Sequence, residues 1–201
     1  MIKSVSDDQT EIIASIMKLC SIDRFDIDLT YGNGEFWKSL PHPLMKIDID
    51  PQQDDVIRAS STSVPLPDEF VNSVMFDPPF MTYVRAGREG NGQMVMARRF
   101  GGYWKYSELA EHYQHTAKEA HRLLRKGGIF VVKCQDIVHN HKLHSTHMFM
   151  NQWCEGMFRL RDLFVLTAKN RMPIPQQKDT ALKIQRHARI HHSYFMVFEK
   201  C

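Results

Sequence analysis

In residues 7–20, Ile12, Ile13, Ile16 and Leu19 follow two acidic residues at the spacing of one buried helix face. The run RFDIDL at 24–29 alternates as a strand does. PLMKID at 43–48 and VNSVMFD at 71–77 read as the next two strands. Between the first two, TYGNGEFW at 30–37 reads as a glycine loop turning into a helix. The stretch 106–128 has the pattern of a long amphipathic helix stopped by paired glycines, and IFVVKC at 129–134 is nearly all apolar, as in a strand covered on both faces. A helix over 145–157 opens on a serine or threonine cap, and 160–168 and 192–200 read as closing strands.

Strands therefore alternate with helices along most of the chain. That order predicts an α/β fold: an open, mostly parallel, Rossmann-like sheet with helices on both faces. No helical segment separates the last two strands, which predicts an antiparallel strand at the sheet edge. Two segments carry no regular pattern, 81–105 (rich in Gly and Arg) and 169–191 (rich in Lys, Arg and His). They are expected to be mobile loops with a function.

Composition adds bounds. At 201 residues, 43% hydrophobic and 24% charged, the chain fits one soluble domain over residues 1–201. No apolar run approaches a bilayer span, and the first residues lack a signal-peptide pattern, so no membrane partner is expected. Cys20, Cys134, Cys154 and Cys201 lie far apart, as free thiols do in a reducing cytoplasm. A net charge of +3 says little about partners. A homodimer is compatible with the sequence and not indicated by it.

Three segments carry chemistry. In DLTYGNG, Asp28, Gly32 and Gly34 stand where the first strand gives way to a loop, and glycine there lets a backbone approach a ligand closely. The next strand ends in KIDID, whose Asp48 (or, second, Asp50) is placed to accept hydrogen bonds from ribose hydroxyls. The third strand runs into Asp77, Pro78, Pro79 and Phe80. Two prolines fix two φ angles and remove two N–H donors, which leaves a stiff peptide with carbonyls that no local donor claims.

DPPF directly after a buried strand resembles the catalytic motif of class I S-adenosylmethionine-dependent methyltransferases that act on exocyclic amino groups of nucleobases, the adenine-N6 and cytosine-N4 DNA type. DLTYGNG resembles that family's first motif, with Thr30 where a glycine is usual, and KIDIDP its second. SSTSVPLP stands where the family often has an Asp beside the cofactor adenine, and Ser60 takes that position. RLLRKGGIFVVKC and HHSYFMVFEK resemble the elements that follow, so the likeness covers residues 24–200.

The resemblance implies S-adenosyl-L-methionine as cofactor, held by Asp28, Thr30, Gly32, Gly34, Asp48 and Ser60, and Asp77, Pro78, Pro79 and Phe80 as the catalytic peptide. The Asp77 carboxylate and the Pro78 carbonyl would accept the two N–H bonds of the target amino group. Pro79 would hold that carbonyl rigid, and Phe80 would stack on the extruded base. No metal is required. The implied substrate is DNA, at adenine N6 or else cytosine N4. An RNA methyltransferase acting on guanine N2 or adenine N6 of tRNA or rRNA is the alternative, since 201 residues leave little room for a separate target-recognition domain. A catalytically inactive nucleic-acid-binding module is the third reading.

The basic residues Arg85, Arg88, Arg98 and Arg99, and Lys169, Arg171, Lys183, Arg186 and Arg189, are expected to contact phosphates, with 85–104 closing over cofactor and substrate. His139, His141, His144 and His147 have no convincingly spaced Cys or acidic companion. They read as polar residues of a strand-to-helix loop rather than metal ligands.

Overall fold

The computed structural model describes residues 1–80, 82, 103, 105–168 and 186–201. Its strands are β1 (Val5–Ser6), β2 (Ile27–Asp28), β3 (Met45–Asp48), β4 (Ile57–Arg58), β5 (Val71–Phe76), β6 (Leu124–Cys134), β7 (Ile137–His139), β8 (Lys142–His144), β9 (Phe158–Thr167) and β10 (His192–Lys200). The helices are α1 (Gln9–Cys20), α2 (Tyr106–Leu123) and α3 (Thr146–Trp153), with one 3-10 turn at Glu35–Trp37. Among the described residues, eight strands form one sheet in the order β1-β9-β10-β6-β5-β2-β3-β4. All neighbours are parallel except β10, which runs antiparallel to both β6 and β9. The antiparallel strand is thus present, and β9 and the two-residue β1 lie between it and the edge.

Strand alternation sorts the core into two layers. On one face Ile12, Ile13 and Ile16 of α1 pack with Met75, Val131, Phe164, Phe195 and Val197. On the other, Leu109, Tyr113 and Ala117 of α2 pack with Val74, Phe76, Phe130, Val132 and Met196. In β6 the odd positions Ile129 and Val131 face α1, so the next odd position, Lys133, comes out on the α1 side at the carboxyl end of the strand.

Several expected elements end elsewhere. The helix over 106–128 stops at Leu123, before the glycines. Its last carbonyls, those of Arg122 and Leu123, accept the N–H groups of Glu69 and Phe70, so the chain entering β5 ends the helix. Gly127 (φ +76°) and Gly128 serve instead an irregular entry into β6, where a Cβ on Gly128 would lie 2.8 Å from the Arg125 carbonyl. The helix expected after the glycine loop is the single 3-10 turn at Glu35–Trp37. The histidine-rich stretch is not a loop but the β7–β8 hairpin, turned by Asn140 (φ 50°) and His141 (φ 58°). No described helix is long and apolar enough to cross a membrane. The four cysteines are free thiols.

Candidate active site

The chain leaves β2 in one direction, to β3 and β4, and returns to β5 and β6 on the other side. The strand order reverses between β2 and β5. In an open α/β sheet, ligands bind in the crevice at the carboxyl ends of the strands at such a point. The loop after β2 and the peptide after β5 are the segments that meet there.

Asp28 ends β2 and is buried. Its Oδ1 accepts the Thr30 N–H at 2.8 Å and the Thr30 hydroxyl at 3.4 Å, and its Oδ2 accepts the Trp37 indole N–H at 2.6 Å. Both oxygens are therefore engaged by the protein, and Asp28 braces the loop. Burial pushes its carboxyl up to about 7, against the hydrogen bonds from Trp37 and Thr30, and the Asp77 charge adds to the rise. The Thr30 hydroxyl in turn accepts the backbone N–H of Asp77 at 2.8 Å. A glycine in place of Thr30 could not make this bond.

Gly32 adopts φ +57°, and the space its Cβ would enter holds no atom within 4 Å. Its N–H donates to Asp48 Oδ2 at 2.8 Å, while Asp48 Oδ1 accepts the N–H of Asp50 at 2.8 Å. Asp48 is thus oriented by the backbone and sits beside an open glycine cradle. Asp50, the second choice, is exposed and paired with Arg58 at 3.5 Å. Gly34 is needed for packing: at φ +79°, a Cβ would lie 2.7 Å from the Tyr31 hydroxyl. The Asp48 carbonyl accepts the Ala59 N–H at 3.0 Å, which brings Ser60 to the same end of the sheet. The Ser60 hydroxyl bonds that of Thr62 at 2.8 Å and accepts its N–H. Next to it, the Ser61 hydroxyl meets His112 Nε2 at 2.6 Å, and the Tyr103 hydroxyl bonds His112 Nδ1. Burial, with His115 adding, lowers His112 to about 4, so the ring is neutral at pH 7.

Asp77, Pro78, Pro79 and Phe80 follow β5, with Pro78 buried and the other three half-buried. Lys133, which the sequence reading did not single out, approaches Asp77 Oδ2 at 3.2 Å, and the two side chains keep 12% and 23% exposure. Loss of hydration raises the Asp77 carboxyl, and Lys133 opposes the rise. The Lys133 ammonium also donates to Gln9 Oε1 at 2.7 Å. It lies 5.3, 5.7 and 5.5 Å from the ring centres of Phe36, Phe80 and Phe195. Beyond Gln9 a recess of about 260 Å³ opens at the carboxyl ends of β6 and β9, lined in part by Gln135, Thr167 and His192.

Of the basic residues, Arg186 and Arg189 are exposed and flank His187, whose Nε2 meets the His141 carbonyl at 2.8 Å. Those two arginines therefore stand beside the β7–β8 turn. Arg85, Arg88, Arg98, Arg99, Lys169, Arg171 and Lys183 lie outside the described residues, as do the central parts of the two expected loops. Thr82, two residues after Phe80, forms a parallel bridge with Tyr103. His139, His144 and His147 form no metal cluster among the described residues. His147 Nδ1 meets Asp136 Oδ1 at 2.7 Å, and Tyr106 stacks on His144.

The model of the N6/N4 DNA methylase family matches residues 71–201, from the first residue of β5 through β10. The chain belongs to this family. As a DNA methylase family member it contains the DPPF peptide inside the matched region, while the glycine loop and Asp48 precede it. No curated protein matches the chain. Among solved structures it resembles TrmN from Thermus thermophilus (13% identity, 95% of this chain and 48% of that one, TM-score 0.51). It also resembles a protein of Galdieria sulphuraria provisionally described as a sarcosine dimethylglycine methyltransferase (10%, 94% and 84%, TM-score 0.52). These two likenesses show the Rossmann-like methyltransferase fold. A second Thermus thermophilus protein, provisionally described as a DNA modification methylase and complexed with S-adenosyl-L-methionine, matches at 18% identity over 68% of this chain and 50% of that one (TM-score 0.42). The chain spans about half the length of the structures of that protein, 47% to 50%.

Proposed function

We propose that this chain transfers a methyl group from S-adenosyl-L-methionine to an exocyclic amino group of a DNA base, adenine N6 in preference to cytosine N4. The observation that carries the reading is the bond from the Asp77 N–H to the Thr30 hydroxyl, which ties the DPPF peptide to the loop bearing Gly32 at the switch point of the sheet. Membership of the N6/N4 DNA methylase family supports it.

The residues fit the cofactor. The open space over Gly32 admits a ligand against the backbone, and Asp48 is held at the tip of β3 with its carboxylate oriented. Asp48, Gly32 and Ser60 would hold the nucleoside part, with Asp28, Thr30 and Gly34 shaping the loop behind them. When bound, the cofactor supplies an electrophilic methyl group.

The chain's own residues prepare the acceptor. An aromatic amino group is a weak nucleophile because its lone pair is delocalised into the ring. Asp77 and the Pro78 carbonyl accept its two N–H bonds and favour the pyramidal form, in which the lone pair is localised. Positive charge then builds on the nitrogen, and the Asp77 carboxylate stabilises it. The half-buried Phe80 ring offers an apolar face to the extruded base. Arg186 and Arg189, with the basic residues of 85–99 and 169–183, would contact the phosphates. A cytoplasmic location goes with this reading.

The test is incubation of the chain with labelled S-adenosyl-L-methionine and duplex DNA, single-stranded DNA or total tRNA, followed by digestion to nucleosides. Label in N6-methyladenine from DNA is the expected result. Label confined to tRNA replaces DNA with RNA as substrate. Nucleic-acid binding without label in any arm leaves the binding-module reading and overturns the enzyme.

A further inference from the structure

We propose that Lys133 is the positioning residue of the catalytic peptide: it pairs with one oxygen of the half-buried Asp77 carboxylate, keeps that group ionised, and leaves the other oxygen for the target amino group. This rests on the reading of Asp77 as the acceptor of that group.

The placement follows from strand parity. Lys133 is the charged position in the run Ile129, Val131, Lys133 on the α1 side of β6, and it reaches the surface only at the end where β5 delivers Asp77. Its register partner on β10 is Phe195. Five groups from four parts of the chain meet its ammonium: Gln9 of α1, Phe36 of the 3-10 turn, Asp77 and Phe80 after β5, and Phe195 of β10. Aromatic faces attract a cation without taking its hydrogen-bond donors. The donors therefore go to Gln9 and Asp77, and the cage fixes where the charge sits.

The pair has a chemical consequence. A carboxylate that must accept an N–H has to be ionised, yet Asp77 is largely removed from water. The charged or titratable groups that face it are Lys133 from β6, Asp28 from the end of β2, and Tyr113 from α2. Of these only Lys133 favours the ionised form; Asp28 keeps its proton up to about pH 7 and the Tyr113 phenol is neutral. The bond is made by Asp77 Oδ2, so the ion pair occupies one of the two oxygens.

The proposal is tested with Lys133→Met, Lys133→Gln and Lys133→Arg, each checked for folding by circular dichroism. The Asp77 carboxyl is followed by NMR in aspartate-labelled protein without ligand, its signal assigned by its loss in Asp77→Asn. The titration midpoint is expected to rise by roughly 1–3 pH units in the neutral variants, the range by which an opposite charge at this distance shifts a carboxyl. It is expected to stay near the parent value in Lys133→Arg. In activity assays the acid limb of kcat moves up by the same amount in the neutral variants, with KM for the nucleic acid little changed. An unmoved midpoint in whichever neutral variant folds overturns the proposal, as does a kcat profile identical to the parent's. A parent protein that methylates no nucleic acid defeats the functional reading instead, and the carboxyl titration still decides the role of Lys133.

Discussion

The Asp77 backbone N–H donates to the Thr30 hydroxyl at 2.8 Å, and Thr30 is itself anchored by its N–H on Asp28 Oδ1 at 2.8 Å. Two peptides 47 residues apart in sequence are thereby held in one geometry. Thr30→Val removes the acceptor and leaves the Asp77 N–H without its partner. The expected loss is about 1–3 kcal/mol of stability. A fall in kcat on the order of 10²-fold is expected with it, since an error near 1 Å in a reacting group has that effect. Thr30→Ser, which keeps the hydroxyl, should stay near the parent in both. Denaturant unfolding and steady-state kinetics on the three proteins check this.

The glycine cradle gives a binding prediction. Gly32→Arg places a side chain in the open space and a non-glycine residue at φ +57°, which costs about 1–2 kcal/mol of backbone strain. Calorimetry should show S-adenosyl-L-methionine binding to the parent and none to the variant. Unfolding should show a loss of stability no larger than that strain.

Burial of Asp28 gives a pH dependence of stability. The folded protein retains a proton at this carboxyl up to about pH 7, whereas the unfolded chain releases it near pH 4. The stability this provides is whole below pH 4 and is lost as pH rises through 7, with a slope of at most about 1.4 kcal/mol per pH unit. Asp28→Asn removes the slope. Urea melts between pH 4 and 8 should therefore show the variant gaining on the parent as pH rises.

His112 acts with the opposite sign. Its ring is lowered to about 4, bonded between Ser61 and Tyr103, while an unfolded histidine takes up its proton near pH 6.5. The stability it provides is present above pH 6.5 and is lost as pH falls towards 4. His112→Gln should flatten that loss in the same urea series. A variant as acid-sensitive as the parent would contradict the buried neutral ring.

Much of this was legible before the fold was known. The strand expected over 192–200 is β10, and its centre Phe195, Met196, Val197 and Phe198 is apolar because the sheet is covered on both faces there. The VNSVMF run marked β5 and so placed Asp77 at its tip. Lys133 was missed because a single lysine at the end of an apolar run reads as a side chain reaching for solvent. The signal was its parity with Ile129 and Val131, which fixes the face but not the partner. Thr30 was read by its place in a motif as a cofactor contact; its hydroxyl also accepts the Asp77 backbone N–H, a contact between the loops after two strands that no local pattern encodes. The β7–β8 hairpin was hidden because Asn140 and His141 take positive φ without a glycine to announce the turn. The early end of α2 depends on Glu69 and Phe70, more than 50 residues upstream.

The central claim is that the Asp77 carboxylate acts on the target amino group. Single-turnover methyl transfer by Asp77→Asn measures this most directly, since Asn keeps the size and one acceptor and removes the charge. The account predicts a rate lower on the order of 10²–10³-fold, with cofactor binding by calorimetry retained. A variant that binds the cofactor and transfers methyl as fast as the parent would contradict it.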